Sequence, residues 1–159
     1  MTDEFERYCI SVAEKFLNNV KGLVVRQASA HDALNKQLAI RDSLKAIDYS
    51  IEKAMGASPD DRLINTIENI DRLIGEYEAV LDDWSTAVKH AKEILARMEN
   101  QQYAAVLERY YIAGLTWRET AARSGYSVDN LYKIRPTAHI GFYMAMTNYE
   151  VGLPEAIPE

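Results

Sequence analysis

Several features that would indicate a secreted, membrane-bound or disulfide-linked protein are missing from this sequence. It has one cysteine, Cys9, so no internal disulfide can form. No apolar run reaches the roughly 18 residues of a membrane helix, and the acidic start is unlike the basic and then apolar start of a signal peptide. We therefore expect a cytoplasmic protein with no membrane segment, in which Cys9 is a small core residue.

Motifs for catalysis and for metal or phosphate binding are also missing. The three histidines, at 31, 90 and 139, are widely separated, and none has the spacing to a glutamate or cysteine that a helical-bundle metal site uses. There is no Gly-rich phosphate loop, nucleophile elbow or pair of acids that would mark a cleft. We expect no cofactor and no metal, and an enzyme is the least supported class.

Signals for β-strands are almost absent. Val and Ile recur at spacings of three and four residues, and no Asn-Gly or Asp-Gly hairpin turn occurs. The sequence therefore predicts an all-α fold.

The charge balance limits the partners that the protein can bind. The 18 Lys and Arg against 24 Asp and Glu give a net charge of −6, which argues against strong nucleic-acid binding. The charges are unevenly distributed, with 13 basic and 17 acidic residues in 1–98, five basic and four acidic in 99–145, and three glutamates beyond. The segment 99–145 is thus near +1 and could bind DNA modestly.

Two helices are predicted before residue 56. The first begins at Thr2 as N-cap, weakens at Gly22, and buries one stripe: Phe5, Cys9, Val12, Phe16 and Val20. The second begins with Ser29 and Asp32, which resemble a capping box, and runs to Met55, where Gly56 stops it. Its predicted apolar stripe consists of Ile40, Leu44, Ile47, Ile51 and Ala54.

A long third helix is predicted to begin at Ser58, Pro59 and Asp60, where a cap, a proline at the first position and an acid combine. Its apolar positions alternate steps of four and three, a heptad pattern typical of helices that wind around a partner. The partner is either the preceding helix or a second subunit, and the short loop favours an antiparallel hairpin. A homodimer through the remaining surface stays open. The register is Leu63, Ile67, Ile70, Ile74, Tyr77, Leu81, Trp84, Val88, Ala91, Leu95 and Met98.

Short helices with turn residues between them follow Met98. Residues 101–111 form one, Thr116 caps a second with Glu119 three residues later, and Ser127 caps a third after the turn at 124–126. Pro136 removes a helical hydrogen bond, so we expect the third helix to end or kink near residue 134. Two short helices joined by a tight Gly turn are typical of a helix-turn-helix.

The run LERYYIAGLTWRETAARSGYSVDNLYKI resembles the region-four helix-turn-helix of bacterial sigma factors. It is more similar still to ArpU-type transcriptional regulators of phages and prophages, in the motif over 101–142 and in architecture over 36–142. The resemblance implies a sequence-specific DNA-binding regulator of transcription with double-stranded DNA, and RNA polymerase as a further candidate, as its partners.

The resemblance also implies which residues face DNA. Base edges would be read after the third helix's cap, where Asn130 suits adenine, Lys133 guanine or phosphate, and an acid at 129 only a cytosine amino group. Phosphates would be met from the second helix and its turn. The complete predicted set is Arg118, Arg123, Ser127, Val128, Asp129, Asn130, Tyr132, Lys133 and Arg135.

The predicted organisation is a helical hairpin with an N-terminal helix over 1–98, a helix-turn-helix over 99–145 and a flexible tail over 146–159. Two other functions fit the sequence. The helix-turn-helix could have been repurposed for protein assembly, or the chain could be a packaging component resembling a small terminase, which would bind DNA as a ring.

Overall fold

The structure, a computed structural model, describes residues 3–55 and 61–151, and the side chains of 3–47 and 61–148. All regular secondary structure in these segments is helical, which confirms the all-α class. No helix there has the length and apolarity needed to cross a membrane. The helices are α1 (Asp3–Met55), α2 (Asp61–Ala96), α3 (Gln101–Tyr111), α4 (Trp117–Ser124) and α5 (Val128–Val151).

The N-terminal region is one helix and not two. Helix α1 continues through Gly22 and Ser29, so the predicted break is wrong. An exposed glycine inside a helix costs only about 1 kcal/mol relative to alanine, and a serine can face solvent. Neither residue therefore forces the helix to end. The predicted start and stop signals at Thr2, Gly56, Ser58, Pro59 and Asp60 lie outside the described residues.

The chain divides into two compact units. Unit A contains Met1–Val24 and Ser85–Glu159, and unit B contains Val25–Trp84. This division does not coincide with the predicted boundary after residue 98, because the beginning of α1 and the end of α2 belong to the same unit as α3, α4 and α5. The hairpin and its supercoil stay predictions.

The main core of unit A is built by segments far apart in sequence. Leu17 of α1, Ile94 of α2, Leu107 of α3 and Phe142 of α5 are fully or almost fully buried in one cluster. Cys9 is buried as predicted, whereas Phe5 is exposed and was wrongly assigned to the core. The other buried members of the cluster are Ala13, Leu95, Met98, Ala104, Tyr111, Ala138, Ala145 and Met146.

Unit B buries little of its predicted apolar stripe. Leu44, Leu63 and Ile70 are buried, and Gln27 of α1 donates a hydrogen bond to the Tyr77 hydroxyl of α2 at 3.3 Å. Four positions that the sequence placed on the inner stripes are exposed and correct that prediction, namely Ile40, Ile47, Ile67 and Ile74. Each lies three or four residues from buried Leu44 or Ile70, at the edge of the buried stripe of its helix. The side chains of Ile51 and Ala54 lie outside the described set.

Helix α5 does not end near residue 134. It continues through Pro136 to Val151, so the predicted end of this helix is wrong. Pro136 is exposed, where water can bond the Tyr132 carbonyl that the proline leaves without its helical donor, and the following turns are anchored by buried Ala138 and Phe142. The predicted tail also begins too early, because Met146 is buried within α5. Residues 152–159 are outside the described part.

Candidate nucleic-acid interface

Local caps at residues that the sequence singled out fix the start of α4, its end and the start of α5. The Thr116 hydroxyl accepts from the Glu119 amide at 3.1 Å, and the Thr116 amide donates to the Glu119 carboxylate at 3.0 Å, forming a capping box. Gly125 ends α4 with φ 76°, a conformation that favours glycine. The Ser127 hydroxyl then accepts from the Asn130 amide at 3.2 Å, which caps α5. The start of α5 is thus fixed by local chemistry.

A small apolar cluster holds α3, α4 and α5 together. Val106, Ala121 and Leu131, one from each helix, are almost completely buried against one another. Trp117 and Ile134 pack on this cluster. Because Leu131 and Ile134 turn inward, the residues on the opposite side of this helix turn toward solvent. This packing determines which side of α5 a partner can reach.

Most residues of the predicted DNA-binding set are exposed. On α5, Asp129, Asn130 and Lys133 lie within one turn of each other on the side opposite Leu131, and Val128 and Tyr132 flank them. Arg118 and Arg123 extend into solvent from α4. The exposed set is Arg118, Arg123, Ser127, Val128, Asp129, Asn130, Tyr132 and Lys133. We call it the α4–α5 surface.

Arg135 is the exception in the predicted set. It is half-buried, with its guanidinium 4.2 Å from the centre of the Trp117 ring and 5.2 Å from that of Tyr132. Trp117 stacks on Tyr110 at 3.6 Å, and the Lys21 ammonium of α1 lies 3.5 Å from the Tyr110 ring centre. Two cations, from α1 and α5, therefore enclose a stacked pair of rings from α3 and α4. Arg135 therefore packs against these rings and is less exposed than the rest of the predicted set.

The charge of the α4–α5 surface is mixed. Arg118, Arg123 and Lys133 are exposed cations, and Asp129 is an exposed anion in the first turn of α5. The Glu119 carboxylate is engaged by the Thr116 amide. Phosphates would meet isolated arginines here and not a continuous basic patch, so electrostatic attraction to DNA is modest.

A buried polar pair, which the sequence analysis missed, lies beneath this surface. The Tyr111 hydroxyl and His139 Nε2 are 2.8 Å apart, and His139 Nδ1 is 2.7 Å from the Arg135 carbonyl oxygen. Since a carbonyl only accepts, Nδ1 carries the proton and Nε2 accepts from the tyrosine. Burial lowers the pKa of His139 and raises that of Tyr111, so both side chains are neutral. The sequence signal was a histidine among apolar residues at helical spacing.

Two further observations bear on the chemistry of the protein. In the described ranges, no group of three or more His, Cys, Asp or Glu side chains is placed to hold a metal ion. Comparison of the chain with protein-family models, curated proteins and solved structures gave no match.

Proposed function

We propose that this protein is a sequence-specific DNA-binding regulator of transcription, of phage or prophage type, whose α4 and α5 form a helix-turn-helix. The observation that carries the proposal is the exposure of Asn130, Lys133 and their neighbours at the capped start of α5. A helix-turn-helix enters the major groove with the N-terminal residues of its second helix, and that part of α5 is unobstructed within unit A.

The side chains at this position suit base edges. The Asn130 amide can donate to N7 and accept from N6 of adenine, and the Lys133 ammonium can donate to guanine O6 or N7. Val128 offers a methyl group to thymine, and Asp129 accepts only from a cytosine amino group. Lys133 lies one turn from Asp129, so an adjacent cytosine and guanine are the bases that this pair fits best.

Arg118 and Arg123 supply the phosphate contacts in this proposal. They extend from the beginning and the end of α4, so they can bond separate phosphates and orient α5 without reading sequence. The resemblance to sigma region four extends the proposal to a contact with RNA polymerase at the promoter.

The test is selection of bound duplexes from a random pool, followed by anisotropy titration of the selected duplex at several salt concentrations. We expect Lys133→Ala to weaken binding by about 1–3 kcal/mol and to relax the preference at one base pair. Lys89→Ala removes another exposed lysine, from α2 and outside the α4–α5 surface, and serves as the matched control. Failure of the folded protein to enrich any duplex at low salt would refute the proposal.

A second candidate is a protein-assembly module that keeps the helix-turn-helix and presents it to another protein. The exposed Asp129 and the net charge of −6 favour it, because both oppose DNA. Salt separates the two functions. Phosphate contacts release counterions, so DNA affinity falls steeply with ionic strength, whereas an apolar helical interface responds little.

A further inference from the structure

Unit B exposes more large aliphatic side chains than it buries. Among its described residues Leu44, Leu63 and Ile70 are buried. Six β-branched aliphatic residues are at least 38% exposed: Val25, Ile40 and Ile47 on α1, and Ile64, Ile67 and Ile74 on α2. Exposing so many apolar groups to water is unfavourable, and such a set of side chains is typical of a surface that another surface covers.

The exposed isoleucines of α2 lie in a strongly acidic strip. Ile67 and Ile74 are seven residues apart and share a row along the helix, and Ile64 shares the next row with Asp71 and Glu78. Within Asp61–Trp84, the part of α2 that belongs to unit B, these rows and the one beyond them hold no Lys or Arg. We call this the acidic strip. Its exposed acids are Asp61, Glu68, Asp71, Glu78 and Asp82.

The exposed isoleucines of α1 lie in a basic strip with the same spacing. Ile40 and Ile47 are also seven residues apart, and their row continues back through Ala33 to Arg26. In the neighbouring row, Lys36 lies between Ser29 and Ser43. One acid, Asp32, lies a further row out, beside Lys36. We call the rows of Arg26 and Lys36 the basic strip.

We propose that unit B is a self-association surface, in which the acidic strip of one copy packs on the basic strip of the next. The isoleucines repeat every seven residues, about 10.5 Å, on both strips, so they interdigitate in register. The small Ser29, Ala33 and Ser43 of the basic strip leave room for Ile67 and Ile74. Two acidic strips would repel each other, so the complementary partner is the other strip of a second copy.

This contact is head-to-tail, because it joins two different surfaces of the same chain. Each copy that uses its acidic strip leaves its basic strip available for another copy. Such heterologous contacts produce a closed ring or an open chain and not a simple twofold dimer. The expected mass therefore rises with concentration beyond twice the 18.1 kDa of one chain.

The test is sedimentation velocity of the full-length protein and of two variants, Ile40→Asp with Ile47→Asp and Ile67→Asp with Ile74→Asp. Each variant loses one strip and keeps the other, so each alone is expected to be a monomer. Mixed in equal amounts they restore one intact contact and form a heterodimer of about twice the monomer mass. Ala28→Asp and Ala79→Asp place the same charge at exposed positions outside both strips and should assemble like the wild type.

Circular dichroism establishes that each variant is helical. A second experiment tests the contact independently, by reversing charges on the two strips. Asp71→Lys with Glu78→Lys alters only exposed acids, and we expect it to reduce assembly of the otherwise wild-type chain. Adding Arg26→Glu and Lys36→Glu to the same chain should restore it. Any one of three results would overturn the proposal. The wild type stays monomeric over a 100-fold range of concentration, the mixture of the two isoleucine variants stays monomeric, or either isoleucine variant assembles alone.

Discussion

His139 is a titratable residue in the interior of unit A. It is almost completely buried, donates from Nδ1 to the Arg135 carbonyl and accepts at Nε2 from Tyr111. Both ring nitrogens are therefore used, and the neutral form is the one that fits. Glu14 of α1 favours the charged form and Arg135 of α5 opposes it, but desolvation is the largest effect and lowers the pKa.

This arrangement makes the stability of the protein depend on pH. The unfolded chain binds a proton at His139 near pH 6.5, while the folded chain binds it only at a lower pH. Stability from this site is thus fully present above about pH 6.5 and falls as the pH decreases. We expect the free energy of unfolding to fall by up to about 1.4 kcal/mol per pH unit below that value. Urea denaturation from pH 7.5 to pH 5 measures it.

Two histidine variants isolate the contribution of His139. His139→Gln removes the titrating ring, and its stability should depend less on pH than that of the wild type over the same range. His31→Gln, the same change at an exposed position of α1, is the matched control. Equal slopes for the wild type and His139→Gln would mean that this residue does not bind protons differently in the folded and unfolded states.

At the scale of elements, the continuity of α1 gives a test with three glycines. Gly22 and Gly75 lie inside α1 and α2 with open space around them, whereas Gly125 has φ 76° at the end of α4. Gly22→Ala and Gly75→Ala should each stabilise the protein by about 0.5–1 kcal/mol, because alanine loses less freedom in a helix. Gly125→Ala should destabilise it by about 1 kcal/mol or more. Thermal denaturation measures all three.

The signs of these stability changes distinguish a continuous α1 from a helix that ends at Gly22. If α1 ended at Gly22 with a left-handed residue, Gly22→Ala would be destabilising, as Gly125→Ala is expected to be. Equal signs for the changes at 22 and 125 would therefore contradict the single helix.

Pro136 gives a second prediction at this scale. Because α5 continues through it, Pro136→Ala restores a donor for the Tyr132 carbonyl and removes a ring that the helix must accommodate. We expect stabilisation of up to about 3 kcal/mol, seen as a higher denaturation midpoint. Thr137→Ala, at the next exposed position, should have a much smaller effect. A destabilised Pro136→Ala would show that the proline fits a local bend that α5 requires.

At the scale of the whole molecule, the segment predicted as an independent DNA-binding domain shares its core with distant parts of the chain. Ala13 and Leu17 of α1, and Ile94 and Leu95 of α2, are buried in the same cluster as α3 and α5. A fragment of residues 99–151 would expose that apolar surface to water. We expect it to be mostly unfolded by circular dichroism and by amide proton dispersion, whereas the full chain unfolds cooperatively.

A fragment with native-like dispersion and a cooperative transition would show that the cluster of Val106, Ala121 and Leu131 is sufficient by itself. The proposed DNA-binding function would then be testable on that fragment alone.

Local chemistry made parts of the candidate site predictable. Four features depend only on residues that are at most a few positions apart. They are the bounds of α3, the capping box at Thr116, the left-handed Gly125 and the cap at Ser127. The inward direction of Leu131 depends on the helical period and was also predictable. The burial of Arg135 under Trp117 was not, because it depends on the α4–α5 packing.

The sequence by itself determined the helical class, the short helices and the turn that presents α5, since propensities and caps act within one or two turns. Tertiary structure decided where helices failed to end and which apolar residues are covered. Gly22 costs a helix about 1 kcal/mol and Pro136 about 3 kcal/mol, and the burial of Leu17 or Phe142 by distant segments can offset those costs. Likewise, whether Ile40 or Ile67 is exposed depends on which other parts of the chain cover it, which no local pattern encodes.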